Sequence, residues 1–273
     1  MKLENTTIGF VGAGNMANSL IRGLLVKGCN PSSIIVADVD QAKLQILGTE
    51  CGVRCGDNQS IADEADLIVL AVKPQVMETV CNQITLNVSA PLVVSIAAGI
   101  RIEQMLNWLG SNTAVVRCMP NTPALIGKGA SGLYANKHVT GAQKQLAQTL
   151  MEAVGIIVWV DDENDIDTVT AVSGSGPAYF FLFMEAMQDA AKELGLSEEL
   201  AKQLVYQTAS GAADLAIQSK DSTAELRRKV TSPGGTTERA IKKFEEGEIR
   251  KLVNSALVEA KTRSIELSKE MKN

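Results

Sequence analysis

Residues 7–17 read TIGFVGAGNMA, and this stretch decides the fold. The run from Ile8 to Val11 leads into Gly12, Gly14 and Ala17, spaced as G-x-G-x-x-A, and a helical pattern, NMANSLIRGLLVKG (15–28), follows at once. A strand that turns through two glycines into a helix is the phosphate-binding corner of a dinucleotide fold. Gly12 makes the turn, Gly14 lets the backbone approach a pyrophosphate, and Ala17 allows close helix–strand packing. Free N–H groups at the helix start then face the phosphates. A tight turn without a ligand is the alternative reading of the spacing.

Working outward, apolar runs recur at SIIVAD (33–38), ADLIVLAV (65–72), PLVVSIAAG (91–99), TAVVRCMP (113–120) and IIVWV (156–160). Helical patterns stand between them at 40–50, 76–84, 101–110 and 143–155. Continuous β-branched runs indicate strands buried on both faces, and their alternation with helices indicates a doubly wound, mainly parallel sheet. NTPALIGKGASGLYA (121–135) reads as an irregular loop. After the acidic DDENDID (161–167) strand signals stop, and helical patterns run at 177–194, 198–219, 222–230, 234–246 and 248–270. The expected organisation is α/β, with a Rossmann-like dinucleotide-binding domain over 1–163 and an all-α domain over 164–273. AYFFLFMEAM (178–187) is apolar on nearly every side, which requires burial all round. A helical domain this small predicts burial against a second copy, hence a homodimer, with a central core helix as the alternative.

The 273 residues are 45% apolar and carry a net charge of −5, with no long basic block, which argues against nucleic acid or an anionic membrane as main partner. No apolar run approaches a membrane span, and MKLENTTIGF lacks the apolar core of a signal peptide, so a soluble cytoplasmic protein is expected. Cys29, Cys51, Cys55, Cys81 and Cys118 form no CxxC pair and the single His138 is distant in sequence, so no metal site and free cysteines are expected. One histidine also speaks against a Ser-His-Asp enzyme.

The second strand ends at Asp38, 24 residues after Gly14. A carboxylate there accepts ribose hydroxyls and repels a 2′-phosphate, which favours NADH, although Asp38 could instead cap the next helix and Asp40 could take the ribose. The coenzyme choice between NADPH and NADH stays open. AVKP (71–74), SIAAG (95–99) and MPNTP (119–123) follow three strands, and ligands of open α/β sheets bind beyond such strand ends. In the helical part, SPGGTT (232–237) opens a helix, where exposed N–H groups and the Ser232 and Thr237 hydroxyls suit a small carboxylate. A helix–helix turn with an N-cap is the bland alternative.

FVGAGNMA, AVKP, SIAAG, MPNTPA, SGSGPAY (173–179) and SPGGTT occur in order across nearly the whole chain, and together they resemble the pyrroline-5-carboxylate reductase family. That resemblance implies a Rossmann domain, an interlocking helical dimerisation domain, dimers that often build decamers, and reduction of 1-pyrroline-5-carboxylate to L-proline with NADPH or NADH. It implies that Val11, Gly12, Ala13, Gly14, Asn15 and Met16 hold the pyrophosphate and that Asn58 meets the adenosine side. It places Ala71, Val72, Lys73, Pro74, Ala97, Ala98 and Gly99 along the nicotinamide half. Ser232, Gly235 and Thr236 would hold the substrate carboxylate, and the Thr237 hydroxyl would meet the ring nitrogen. Many members of the family carry a hydroxyl-rich run after the second strand, where this chain has ADVDQ (37–41).

A protonated cyclic imine is already electrophilic, so neither a covalent nucleophile nor a metal is required, only positioning and a proton. Thr237 is the expected polar group at the chemistry, and Lys73 is a weaker candidate. The rivals are a β-hydroxyacid dehydrogenase, which would need a positioned Lys or His donor, and a nucleotide-sensing module without catalysis.

Overall fold

Runs of four consecutive buried residues build the centre of the sheet: Ile8–Val11 (β1), Ile34–Ala37 (β2), Leu67–Leu70 (β4) and Leu92–Ser95 (β5). Their side chains alternate between two apolar layers. Phe10, Val36, Val69 and Val94 enter one layer, and Val11, Ile35, Ile68 and Val93 the other. Both faces of the strands are therefore dry, which explains why no polar alternation marks them in sequence. The computed structural model describes residue 3, residues 6–86 and residues 91–271.

Arg54–Cys55 (β3), Val115–Met119 (β6), Gly129–Ala135 (β7) and Gly155–Trp159 (β8) complete a sheet of order β3-β2-β1-β4-β5-β6-β7-β8. Pairing is parallel throughout except between β6 and β7, which run antiparallel with Cys118 opposite Leu133. The doubly wound α/β class holds, and the irregular loop expected over 121–135 is corrected: it contains a 3-10 turn, Thr122–Ile126, and the strand β7. GASGLYA has no β-branched residue, so it carries no strand signal of its own. Its small residues are required by packing, since a Cβ on Gly132 would stand 2.6 Å from a Val169 methyl. The two-residue β3 is exposed and likewise gave no sequence signal.

Helices Asn15–Val26 (α1), Gln41–Cys51 (α2), Asn58–Glu64 (α3), Pro74–Asn82 (α4), Ile102–Leu109 (α5) and Gly141–Glu152 (α6) accompany the sheet. Asp165–Val169 (α7) passes into a wide π-type turn, Thr170–Gly174, and then into Gly176–Glu193 (α8). Glu198–Gln218 (α9), Thr223–Lys229 (α10), Thr236–Glu246 (α11) and Ile249–Glu270 (α12) follow. The chain divides into two compact units: one runs to Ser175 and resumes at Ala260, and the other is Gly176–Glu259.

In the first unit, the end of α12 is held by specific bonds. Ser264 Oγ donates to Asp167 Oδ1 at 2.7 Å, and Gln104 Nε2 donates to the Met271 carbonyl at 2.7 Å. In the second unit, the Phe183 and Phe244 rings pack with centroids 6.0 Å apart. Phe180, Phe181 and Leu182 of α8 are each more than 60% exposed in the single chain, so this helix is not the hidden centre of its own domain.

Candidate active site

The β1–α1 corner is built by backbone. Gly12 sits at φ +105, a conformation that favours glycine, and its N–H donates to the Ala37 carbonyl at 2.7 Å. A Cβ there would stand 2.7 Å from the Ala71 carbonyl oxygen. Gly14 is the N-cap of α1, extended at φ −71, ψ 178 with no side-chain cap, and a Cβ on it would meet no atom within 4 Å. Ala17 is fully buried against the sheet. A tight turn, an uncapped helix start and open space over the second glycine together fit a pyrophosphate cradle.

Asp38 follows β2 directly, and its carboxylate is fixed by main chain. Oδ2 accepts from Ala13 N–H at 2.6 Å and Oδ1 from Asp40 N–H at 2.8 Å. Asp38 does not cap α2; Asp40 does, accepting from Ala42 and Lys43 N–H at 3.1 and 3.3 Å. The Lys43 backbone N–H holds the Asp40 carboxyl below its ordinary range. Lys43 Nζ lies 3.5 Å from Asp40 Oδ2.

The other expected coenzyme residues fall along the same edge of the sheet. Asn58 opens α3 behind the Asp57 cap, whose carboxyl is held low by the Ser60 N–H. Ala71 N–H donates to the Val11 carbonyl at 2.8 Å, which sets the start of the Ala71–Pro74 loop beside the glycine turn. Pro74 is the first residue of α4, and Lys73 before it is exposed and donates no side-chain cap. Ala97 is buried, Ala98 exposed, and Gly99 turns at φ +77 beside Leu267. Because β2, β1, β4 and β5 are sheet neighbours, Val11–Met16, Asp38, Ala71–Pro74 and Ala97–Gly99 sit at adjoining carboxyl ends.

The expected substrate residues lie together in the helical unit. Gly235 N-caps α11 at φ −80, ψ 172 with no side-chain cap, and donates its own N–H to the Ser232 carbonyl at 3.0 Å. Gly234 takes φ +72, and its N–H donates to Glu238 Oε2 at 2.8 Å. Ser232 and Thr236 are exposed and Thr237 half-buried. The first turn of α11 thus offers amides and hydroxyls together, the donor set that suits a carboxylate. The sequence reading gave no role to Asn121, a 9% exposed side chain that bonds both to the strand after it and to the wide turn before α8. Those bonds span 9 and 52 residues, which local patterns do not reveal.

Fold and loops define a dinucleotide-binding protein of the Rossmann class. Residues 163–267 match the family model for pyrroline-5-carboxylate reductase dimerisation, and residues 7–99 match the model for NADP oxidoreductase, coenzyme F420-dependent. The pyrroline-5-carboxylate reductase of Pseudomonas aeruginosa is 51% identical over 98% of this chain and 99% of its own length. The structure of a pyrroline-5-carboxylate reductase from Coxiella burnetii superposes with a TM-score of 0.94 at 44% identity, covering 97% of this chain and 99% of that one. The Plasmodium falciparum pyrroline carboxylate reductase, solved with NADP bound, gives 0.85 at 31% identity over 97% and 99%. The chain belongs to the pyrroline-5-carboxylate reductase family. No helix among the described residues is long and apolar enough to cross a membrane.

Proposed function

We infer that this chain is an NAD(P)H-dependent oxidoreductase that reduces the C=N bond of 1-pyrroline-5-carboxylate to give L-proline, the last step of proline biosynthesis. The observation that carries the reading is 51% identity to a pyrroline-5-carboxylate reductase over 98% of the chain. The bound dinucleotide supplies the hydride. Val11–Met16 hold its pyrophosphate, Asp38 and Asn58 its adenosine side, and Ala71–Pro74 with Ala97–Gly99 its nicotinamide half. Ser232, Gly235 and Thr236 bind the substrate carboxylate through the uncapped start of α11. Thr237 holds the ring nitrogen and orients its proton. The protein's work is positioning, which accounts for a site with no activated nucleophile.

The Asp38 carboxylate, pinned by two amides, cannot swing away from a 2′-phosphate, which favours NADH over NADPH in this chain. Residues 1–163 carry the coenzyme function, and the substrate and dimerisation function lies within 164–273, whose central part, Gly176–Glu259, is a compact unit of its own. The exposed aromatic face of α8, within the stretch matched by the dimerisation model, supports a homodimer; further assembly of dimers into a decamer is what the family resemblance alone implies. The enzyme works in the cytoplasm.

Loss of reduced-coenzyme absorbance is measured with the imine and, separately, with 3-hydroxy acids and oxidised coenzyme. Imine-dependent oxidation of NADH or NADPH is expected. Turnover of the hydroxy acids alone would make the chain a β-hydroxyacid dehydrogenase, and coenzyme binding with no turnover would make it a sensing module.

A further inference from the structure

Two sequence motifs, MPNTPA and SGSGPAY, have no part in the coenzyme and substrate sets, yet the fold joins them. Asn121 stands two residues beyond β6 and is 9% exposed. Its Oδ1 accepts from the Ala130 N–H of β7 at 2.9 Å, and its Nδ2 donates to the Ser173 carbonyl at 3.0 Å. Ser173 lies in the wide turn Thr170–Gly174, where Ser175 N–H reaches back to the Thr170 carbonyl at 2.8 Å in place of an α-helical bond. Widened turns inside helices interrupt the i→i+4 ladder and are frequent at functional sites. The same turn touches the loop a second time, since a Cβ on Gly174 would stand 2.7 Å from Met119 Cε.

Position gives this contact its meaning. The glycine turn follows β1 and the ribose carboxylate follows β2, so the other half of a dinucleotide extends over β4, β5 and β6. Met119 ends β6, the last strand parallel to β5 on that side. The loop 119–121 and the wide turn behind it therefore stand at the hydride-transfer end.

We propose that Asn121 is a positioning residue for imine reduction: its carboxamide fixes the Thr170–Gly174 turn to the end of β6 and so sets the loop at the hydride-transfer end of the coenzyme. The proposal rests on the reductase reading given above. It separates Asn121 from the pyrophosphate cradle, which is built after β1. A misplacement of about 1 Å near reacting atoms costs on the order of a hundredfold in rate, whereas binding at a separate cradle is untouched.

The test is Asn121→Asp, which keeps the acceptor for Ala130 and removes the donor to Ser173, with Asn121→Ser as a second, uncharged variant. kcat for the imine is measured with saturating coenzyme, Kd for NADH and NADPH by fluorescence of the free enzyme, and Tm by calorimetry. The expected result is a fall in kcat of about tenfold or more with coenzyme Kd unchanged within about twofold. Unchanged imine kinetics alongside a lower Tm would make Asn121 a purely structural residue and overturn the proposal. A coenzyme Kd that weakens in step with kcat would also overturn it. Wild-type enzyme is the control: if it does not turn over the imine, the reductase reading itself has failed, which is a different outcome from unaltered variants of an active enzyme.

Discussion

Arg117 and Asp167, each 1% exposed, face one another across 3.9 Å beneath the sheet. Arg117 also donates to Glu163 at 3.2 Å, and Arg101 donates to Asp167 at 3.0 Å. Burial pulls the Arg117 guanidinium below its ordinary pKa, and the two carboxylates oppose that shift. Arg117 Nε has no partner in this cluster, so the remaining bonds are what keep the buried charge tolerable. Asp167→Ala leaves two arginines around one missing carboxylate and should lower the unfolding free energy by about 3–5 kcal/mol. Urea unfolding of the variant against wild type measures this, and a loss below about 1 kcal/mol would mean the cluster is screened by water.

The two glycines of the β1–α1 corner should respond differently to alanine. Gly12→Ala forces a side chain into positive φ and against the Ala71 carbonyl, so it should lose about 1–3 kcal/mol of stability as well as coenzyme binding. Gly14 has an ordinary φ and free space, so Gly14→Ala should keep stability within about 1 kcal/mol. It should nonetheless weaken coenzyme binding by about tenfold or more, or roughly 1.4 kcal/mol, because the methyl would stand in the proposed path of the pyrophosphate. Equal Tm with equal Kd for Gly14→Ala would remove the cradle from this corner.

Asp38→Ser removes a fixed negative charge from the end of β2. The ratio of kcat/KM for NADPH over NADH should rise by about tenfold, the scale of one unfavourable charge contact relieved. The Ala13 N–H also loses its 2.6 Å partner, so KM for both coenzymes should increase. An unchanged ratio would mean that the carboxylate serves the glycine turn alone.

Thr237→Ala should lower kcat/KM for the imine by about tenfold or more, the loss expected from the proposed hydrogen bond to the ring nitrogen. Thr237→Ser keeps the hydroxyl and should retain most of the rate. Steady-state kinetics of the pair distinguish a hydroxyl effect from a packing effect of the methyl.

Thiol reactivity should separate Cys55 from Cys81 and Cys118. Burial pushes Cys81 up to about 12 and raises Cys118 as well, while Cys55 is exposed. At pH 8 only about one Cys81 in ten thousand is thiolate, the reactive form. A disulfide reagent should label Cys55 in the native enzyme and reach Cys81 and Cys118 only in denaturant. Rapid native labelling at Cys81, located by peptide mass, would contradict its burial.

The sequence disclosed most of this fold because its information was local. The Val- and Ile-rich runs of β1, β2, β4 and β5 needed no partner to be read, nor did the glycine corner. What stayed hidden depends on distant neighbours. β7 is a strand because β6 and β8 accept it on either side, with Gly132 small enough to pass under Val169. Glu163 and Asp167 are two acidic residues among several in DDENDID, and only the fold turns these two to Arg117. Asn121 acquires its second partner 52 residues away.

Helix α12 starts in one compact unit and finishes in the other, with Ser264 and Met271 tied down past the crossing. Topologically the helical region is an insertion, and α12 is the helix that returns the chain to the first unit. A single proteolytic nick cannot release either half as a finished body, and a clone stopped at residue 175 would lack the tail that its own Gln104 and Asp167 are built to hold.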